Sequence, residues 1–476
     1  MSESLLSALR DAIGPTHVLT GSDTEAFARD WSGAPTPPPL AVLRPANTQE
    51  VSSCLQLAHA QYCPVVPVSG GTGLTGGTEA GDMLMLSLGR LNSIREIRPE
   101  ARLAIVEAGV ILSRLHDAVA DHDLIFPLTF GARGSALIGG ALATNAGGSN
   151  VVRYGSTRGL CLGLEAVMAD GRVLNLMSEV HKDNSGYDLR DLLIGSEGTL
   201  GIITGAVLKL EPLPRAYASA MVACPSIDAA LVLLRALQAD SGGTVEAFEY
   251  MPRSFIEAHL ARFPDARAPF SKHHDVNILV EMAAVSDRMS DGGDTGQTAV
   301  ACLLENALAA HFETGEVLDA TLAKSEAERQ EMWARRESSA ELALLHQPVI
   351  DNDICVPVDR MQHLLDRAEA RAKALDPGIR FLNVAHLGDG NLHFAAWPAT
   401  EDTTVHKAIC RAVEEEAVAL GGAFSAEHGV GLSKLDVMSR LKDPVALDVM
   451  RAVKHALDPR GILNPGKVVP VLADGP

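Results

Sequence analysis

The run Ser69-Gly70-Gly71-Thr72-Gly73-Leu74-Thr75-Gly76-Gly77 follows the apolar segment "PVVPV" (Pro64–Val68) and contains "GTGLTG". Formally this matches G-x-G-x-x-G, the fingerprint of a dinucleotide-binding turn. In such a unit the glycines lead straight into a helix, and an acidic residue for the ribose follows about 20 positions later. Here the run continues as "GGTEAGDMLMLSLGRL", two glycines in place of a helix start and then a β-like apolar stretch. Arg90 and Leu91 stand near the acidic position, and Glu96 comes late. A nicotinamide-binding βαβ opening is therefore not expected. Consecutive Gly and Thr can instead aim backbone N–H groups into an anion-holding nest, although a flexible turn would account for this motif taken alone.

The 476 residues suffice for two or three domains, and 47% apolar content fits an ordinary globular chain. A formal net charge of -20, with no long basic run, argues against nucleic acid and anionic membrane surfaces as partners. The seven cysteines (54, 63, 161, 224, 302, 355 and 410) are scattered without a C-x-x-C, as expected of reduced structural thiols. The N-terminus "MSESLLSALRDAIG" reads as a short amphipathic helix and not as a signal peptide, and no apolar run is long enough to span a membrane. Cytoplasm is the expected location.

Short β-branched runs between Gly-rich turns ("MLMLSL", "RLAIVEAGV", "GIITGAVLKLEPLP") indicate α+β organisation over residues 38–213, after a helical segment 1–37. "EPLP" at Glu211–Pro214 is an expected hinge. Residues 214–420 mix strand-like runs such as "NILVEMAAV" with helical patterns over Thr321–Leu345 and Arg360–Leu375. Residues 421–476 return to Gly-rich loops and close in "LDPRGILNPGKVV".

The first glycine loop is followed by "GARGSALIGGALATNAGGSNVVRYG" (Gly131–Gly155) and "KDNSGYDLRDLLIGSEGTLGIIT" (Lys182–Thr204). In this order and spacing, with "GILNPGKV" at the end, the three segments resemble the vanillyl-alcohol oxidase / p-cresol methylhydroxylase flavoprotein superfamily. The resemblance covers nearly the whole chain. It implies a two-subdomain FAD-binding domain, an antiparallel-sheet α+β substrate domain, and a small C-terminal segment returning to the FAD domain. Carried over by position, it implies FAD contacts at Ser69, Gly70, Gly71, Thr72, Gly73, Leu74, Gly76, Pro127, Gly134, Ser135, Gly139, Gly140, Thr144, Asn145, Gly147, Gly148, Glu197, Gly198, Ile202 and Asn464. Some members attach the flavin through a histidine of the first loop. None lies between Ser69 and Gly77, so non-covalent FAD is expected.

"NVAHLGDGNLHF" carries a second chemistry. Asp389-Gly390 is a favoured two-residue hairpin turn, which would pair Leu387 with Leu392 and set His386 opposite His393 on one face. Two imidazoles so placed can chelate a divalent ion, although a histidine pair bonded to backbone is the commoner arrangement. "FSAEHGVGLSK" then offers Glu427 and His428. Two histidines and a carboxylate suit zinc, and also iron or manganese.

"HLGDGNLH" followed by "EHGVG" resembles the FAD-linked D-2-hydroxy-acid dehydrogenases, the group of D-lactate and D-2-hydroxyglutarate dehydrogenases. That resemblance implies His386, His393 and Glu427 as ligands of a divalent metal, zinc first among the three, and His428 as the base. The metal would orient the hydroxy acid and lower its hydroxyl pKa, His428 would take the proton, and hydride would pass from Cα to flavin N5. Arg336, in "MWARRESS", aligns with the family's carboxylate-binding arginine, although a helix this rich in Glu and Arg suggests a solvated face.

Ala340, Asp351 and Ala395 depart from the D-2-hydroxyglutarate pattern, which has Thr, Lys and Asn there. Asp351 should disfavour a dicarboxylate by repulsion unless Arg335 or Lys434 compensates. D-2-hydroxyglutarate, D-malate and D-lactate are the substrates in view. The resemblance implies an electron-transferring flavoprotein, quinone or cytochrome as acceptor and allows a homodimer. An oxidase using oxygen, or an electron-relay subunit of a larger complex, are the alternatives.

Overall fold

The computed structural model describes residues 2–29, 36–292 and 296–471. Residues 30–35 of the expected N-terminal segment lie outside it. The first helix, Glu3–Ile13, starts where the Ser2 hydroxyl accepts from Leu5 N at 3.2 Å, and it buries Leu5, Leu6, Leu9 and Ile13 along one stripe. That stripe shares a core with Val51, Cys54 and Leu55 of the helix Thr48–Ala60, so the N-terminal segment is integral to the domain that follows.

The chain divides into two units, one made of residues 1–147, 155–212 and 427–476, the other of 148–154 and 213–426. The boundary between Pro212 and Leu213 falls in the "EPLP" segment.

The first unit contains two sheets and a short ribbon. Strands β1 (Val18–Leu19), β2 (Ala41–Leu43), β3 (Val65–Val68) and β4 (Leu84–Ser87) form a four-stranded sheet in the order β1-β2-β4-β3. Strands β5 (Ile94–Arg98) and β6 (Leu103–Glu107), then β8 (Cys161–Val167), β9 (Val173–Leu176) and β10 (Ile202–Lys209) after β7 (Leu124–Ile125), form an antiparallel sheet ordered β5-β6-β10-β8-β9. The short β7 pairs with β11 (Glu211–Pro212). Two sheets within one unit match the two-subdomain expectation.

The second unit is built on one larger sheet. Its strands are β12 (Ala216–Cys224), β13 (Val245–Pro252), β14 (Val276–Ala284), β15 (Asp319–Leu322), β16 (Ile350–Cys355), β17 (Arg380–Phe381), β18 (Val384–His386) and β19 (Asn391–Trp397). The order is β15-β12-β14-β13-β18-β19-β16, every pairing is antiparallel, and β17 pairs with β19. Because strand side chains alternate, the sheet has two faces. One carries Val222, Phe248, Ile278, Leu392 and Phe394 into the main core, where each fully buried large side chain is worth about 1.5–3 kcal/mol. The other packs Met221, Met251, Leu279 and Val384 against Met332 and Leu342.

One helical expectation is corrected. The pattern over Thr321–Leu345 is not a single helix: Thr321 and Leu322 belong to β15, and helices run over Glu326–Glu337 and Ser339–Ala343. Ser325 sets the start, its hydroxyl accepting from Glu328 N at 3.2 Å. Among the described residues the cysteines form no disulfide, and burial pushes the Cys54 and Cys224 thiols up to about 12, which keeps them inert.

Candidate functional site

In the first unit, the Ser69–Gly77 run links the parallel strands β3 and β4 without a helix, as its sequence indicates. A Cβ on Gly70 would lie 2.3 Å from the Ser135 carbonyl oxygen, and one on Gly198 would lie 2.3 Å from the Pro67 ring. Here glycine serves the nesting of the three segments on one another. At Gly71 (φ +66°), Gly73 and Gly134 a Cβ would meet nothing within 4 Å. Packing does not demand these three glycines, and the open space beside them leaves room that fits FAD. Thr72, Leu74 and Gly76 lie on the same loop.

The second segment forms the short helix Ile138–Ala143, which contains Gly139 and Gly140. Thr144 ends it with its hydroxyl donating to Gly140 O, and Asn145 Oδ1 accepts from Arg158 N. Pro127 is buried, and Ile202 opens β10 with its side chain in the core. Gly147 ends a stretch of the first unit, whereas Gly148 belongs to the second.

Asn464 joins these pieces. Its Nδ2 donates to Gly77 O at 3.1 Å and to Glu197 O at 2.7 Å, while its Oδ1 is buried with no partner among the described residues. The Glu197 carboxylate holds the "EHGVG" loop, with Oε1 accepting from Val430 N at 2.7 Å and Oε2 from Gly431 N at 3.0 Å. Leu432 N donates to Thr75 O, and the Thr75 hydroxyl donates to His428 O. Glu427 and His428 thus stand on a loop fastened to the first and third Gly-rich segments. Burial pushes the Glu197 carboxyl up, and the two N–H donors with Lys434 and Lys467 pull it back only partly. Lys467, 3% exposed, donates to Glu79 O, and burial lowers its ammonium to about 8.

In the second unit the histidine hairpin differs in register from the two-residue turn expected. His386 pairs with Asn391, and His393 pairs with Val384. The connection is therefore four residues, 387–390, with Asp389 N and Gly390 N both donating to His386 O. The connection is closely packed: a Cβ on Gly390 (φ +84°) would lie 2.1 Å from Val356 O, and one on Gly388 would lie 2.6 Å from Val152 Cγ2. A two-residue shift preserves the face, so His386 and His393 still stand side by side as diagonal neighbours, with ring centroids 5.3 Å apart.

Glu249 of β13 lies opposite His386 in the ladder, and its side chain is 1% exposed. His386 Nδ1 stands 2.9 Å from Glu249 Oε1, and Arg336 Nε donates to Glu249 Oε2 at 2.8 Å. Burial pushes this carboxyl up, but His386 and Arg336 outweigh burial and hold it below the usual carboxylate range. Arg336 is 6% exposed, so the solvated-face alternative falls. Its Nη2 is buried with no partner among the described residues. Arg335, 2% exposed, donates through Nη2 to Arg267 O instead.

Asp353 of β16 is the ladder partner of His393. It accepts from Asn391 Nδ2 at 3.0 Å and from Ala426 N at 3.1 Å, at the last residue before Glu427. Of the three departures, Asp351 and Ala340 are exposed, and Ala395 is buried on the histidine face. Sequence reading missed Glu249 and Asp353. The signal for Glu249 was present in "VEAFEYMP", where glutamates interrupt a strand otherwise fit for burial and so demand partners.

Comparison with known proteins agrees with this construction. Residues 213–468 match the family of FAD linked oxidases, C-terminal domain, and residues 39–177 match an FAD binding domain. A mitochondrial D-2-hydroxyglutarate dehydrogenase of Bos taurus is 37% identical over 482 residues, covering 99% of this chain and 85% of that protein. A D-2-hydroxyglutarate dehydrogenase of Xanthomonas citri pv. viticola is 36% identical, covering 98% of this chain and 97% of the relative. Among solved structures, p-cresol methylhydroxylase with substrate bound shares the fold at a TM-score of 0.75 with 16% identity, over 99% of this chain and 97% of its own. No helix among the described residues is long and apolar enough to cross a membrane. With its Gly-rich segments, its antiparallel-sheet unit and matches spanning both, the chain belongs to the FAD-linked oxidases, a family of FAD-dependent oxidoreductases.

Proposed function

We propose that the chain is an FAD-dependent dehydrogenase of D-2-hydroxy acids that works with a divalent cation. The observation that carries this reading is a pair of histidines on one sheet face, one of which, His386, shares its carboxylate partner Glu249 with Arg336, whose Nη2 is unpartnered among the described residues. A 2-hydroxy acid needs such groups: a cationic fork for the carboxylate and donors for a metal that chelates it. His386 and His393 with Glu427 would hold Zn2+, and Fe2+ or Mn2+ suit the same two-nitrogen, one-oxygen set. When bound, FAD supplies the acceptor for the Cα hydride, and the cation supplies the Lewis acidity that lowers the hydroxyl pKa.

Arg336 keeps its Nε on Glu249 and directs Nη2 to the substrate carboxylate. His428 takes the hydroxyl proton on a ring nitrogen, an imidazole being a base suited to neutral pH. The Thr75 and Glu197 contacts hold the backbone of its loop while the ring does so. FAD is held non-covalently, because the first loop offers no histidine. The relatives' names support D-2-hydroxyglutarate as a substrate, with D-malate a shorter dicarboxylate of the same kind, and Asp351, which would repel a second carboxylate, supports keeping the monocarboxylate D-lactate beside them.

The test is anaerobic bleaching of the flavin by D- and L-2-hydroxy acids, before and after chelator treatment. Bleaching by a D-acid, lost with chelator and restored by Zn2+, is expected. No bleaching by any hydroxy acid refutes the enzyme reading, and bleaching indifferent to chelator refutes the metal role of His386, His393 and Glu427.

A further inference from the structure

His386 and Arg336, given separate tasks above, meet on one buried side chain. Glu249 accepts from Arg336 Nε at 2.8 Å and stands 2.9 Å from His386 Nδ1, with 1% of its side chain exposed. A carboxylate can only accept, so the proton of a neutral His386 ring sits on Nδ1. Nε2 then carries the lone pair, on the side of the ring away from Glu249. The same carboxylate fixes Arg336 through Nε, which leaves the Nη2 edge with no partner among the described residues. Each anchor also draws on the fold: His386 is the ladder partner of Glu249, and Arg336 lies on the buried stripe of the helix Glu326–Glu337.

We propose that Glu249 is a positioning residue. It sets the tautomer and rotation of His386 for a divalent cation and fixes the Arg336 fork for a substrate carboxylate, so both affinities depend on one side chain that touches neither ligand. The proposal rests on the reading of His386 as a metal ligand. A carboxylate that served only folding would have no such effect. Buried ion pairs add little net stability over apolar packing, whereas partners behind metal-bound histidines commonly change cation affinity by about 10- to 100-fold.

The experiment uses the FAD-loaded full chain, freed of metal by chelator and titrated with Zn2+ against a chromophoric competitor. Wild type, Glu249→Gln and His386→Ala are compared, with flavin content and circular dichroism as measures of folding. Glu249→Gln retains the shape and one acceptor oxygen but turns an amide N–H toward a donor. Its Zn2+ affinity is expected to fall about 10- to 100-fold with FAD retained, and the KM for the hydroxy acid to rise more than kcat falls. If His386→Ala abolishes Zn2+ binding while Glu249→Gln keeps it within twofold, the positioning role is overturned and the metal reading stands. If His386→Ala binds Zn2+ like wild type, the metal reading falls and Glu249 loses its role with it. If Glu249→Gln fails to fold, long-range 1H–15N spectra of histidine-labelled wild type decide. A His386 ring protonated at Nδ1, with Nε2 shifting on Zn2+ addition, supports the proposal; a ring protonated at Nε2 overturns it.

Discussion

Replacing Glu197 by glutamine should loosen the loop that carries His428 without dislodging the flavin. The carboxylate receives Val430 N at 2.7 Å on one oxygen and Gly431 N at 3.0 Å on the other. A carboxamide of the same shape has one oxygen, so one N–H loses its acceptor and the remaining bond becomes neutral. A hydrogen bond to a charged group contributes about 1.5–3 kcal/mol, and a buried N–H left unpaired costs about 1–3 kcal/mol, quantities that overlap in part. Burial already pushes the Glu197 carboxyl up, so removing the charge recovers some of its desolvation. The net local loss is therefore placed at the low end, about 2 kcal/mol, which corresponds to roughly 30-fold more frequent opening of the loop. Amide hydrogen exchange reads this directly: Val430 and Gly431 should exchange about 30-fold faster in Glu197→Gln, while β3 and β10 keep their protection. The rate of flavin reduction should fall alongside, with flavin content unchanged. Exchange at both amides within twofold of wild type would show that the carboxylate does not hold the loop.

Two further outcomes are expected. Gly390→Ala places a Cβ 2.1 Å from Val356 O at a φ of +84°. At a cost of roughly 2–3 kcal/mol the thermal midpoint should drop on the order of 5–10 °C, and an unchanged midpoint would contradict the four-residue hairpin. His259, buried against Ser338, has its imidazole lowered from 6.5 to about 4, first by burial and then by Arg335. Its folded pKa lies below the unfolded value, so its neutral form supports folding above pH 6.5, and that support is lost as pH falls toward 4. Denaturant midpoints at pH 7, 5.5 and 4.5 should decline more steeply in wild type than in His259→Gln, and parallel declines would refute the assignment.

What the sequence determined by itself was local chemistry and its order along the chain. The glycine run with no helix after it excluded a nicotinamide unit, because helix formation and turn geometry are decided within a few residues. The three Gly-rich segments and the later histidine and glutamate motifs then carried the resemblance to FAD-linked D-2-hydroxy-acid dehydrogenases. Strand parity kept His386 and His393 on one face even though the register differed by two residues, since parity survives any even shift. Tertiary structure decided whatever depends on who lies opposite whom. The hairpin turn is four residues long and packs closely on Val356 and Val152, and no local rule contains those distances. Burial of Arg336 reversed the solvated-face alternative, because a helix face is chosen by the sheet it covers. Glu249 acquired its partners only when β13 paired with β18, residues 137 positions apart in the chain. Which charge is buried, and against which partner, is a property of long-range pairing, and that is where this chain arranges its chemistry.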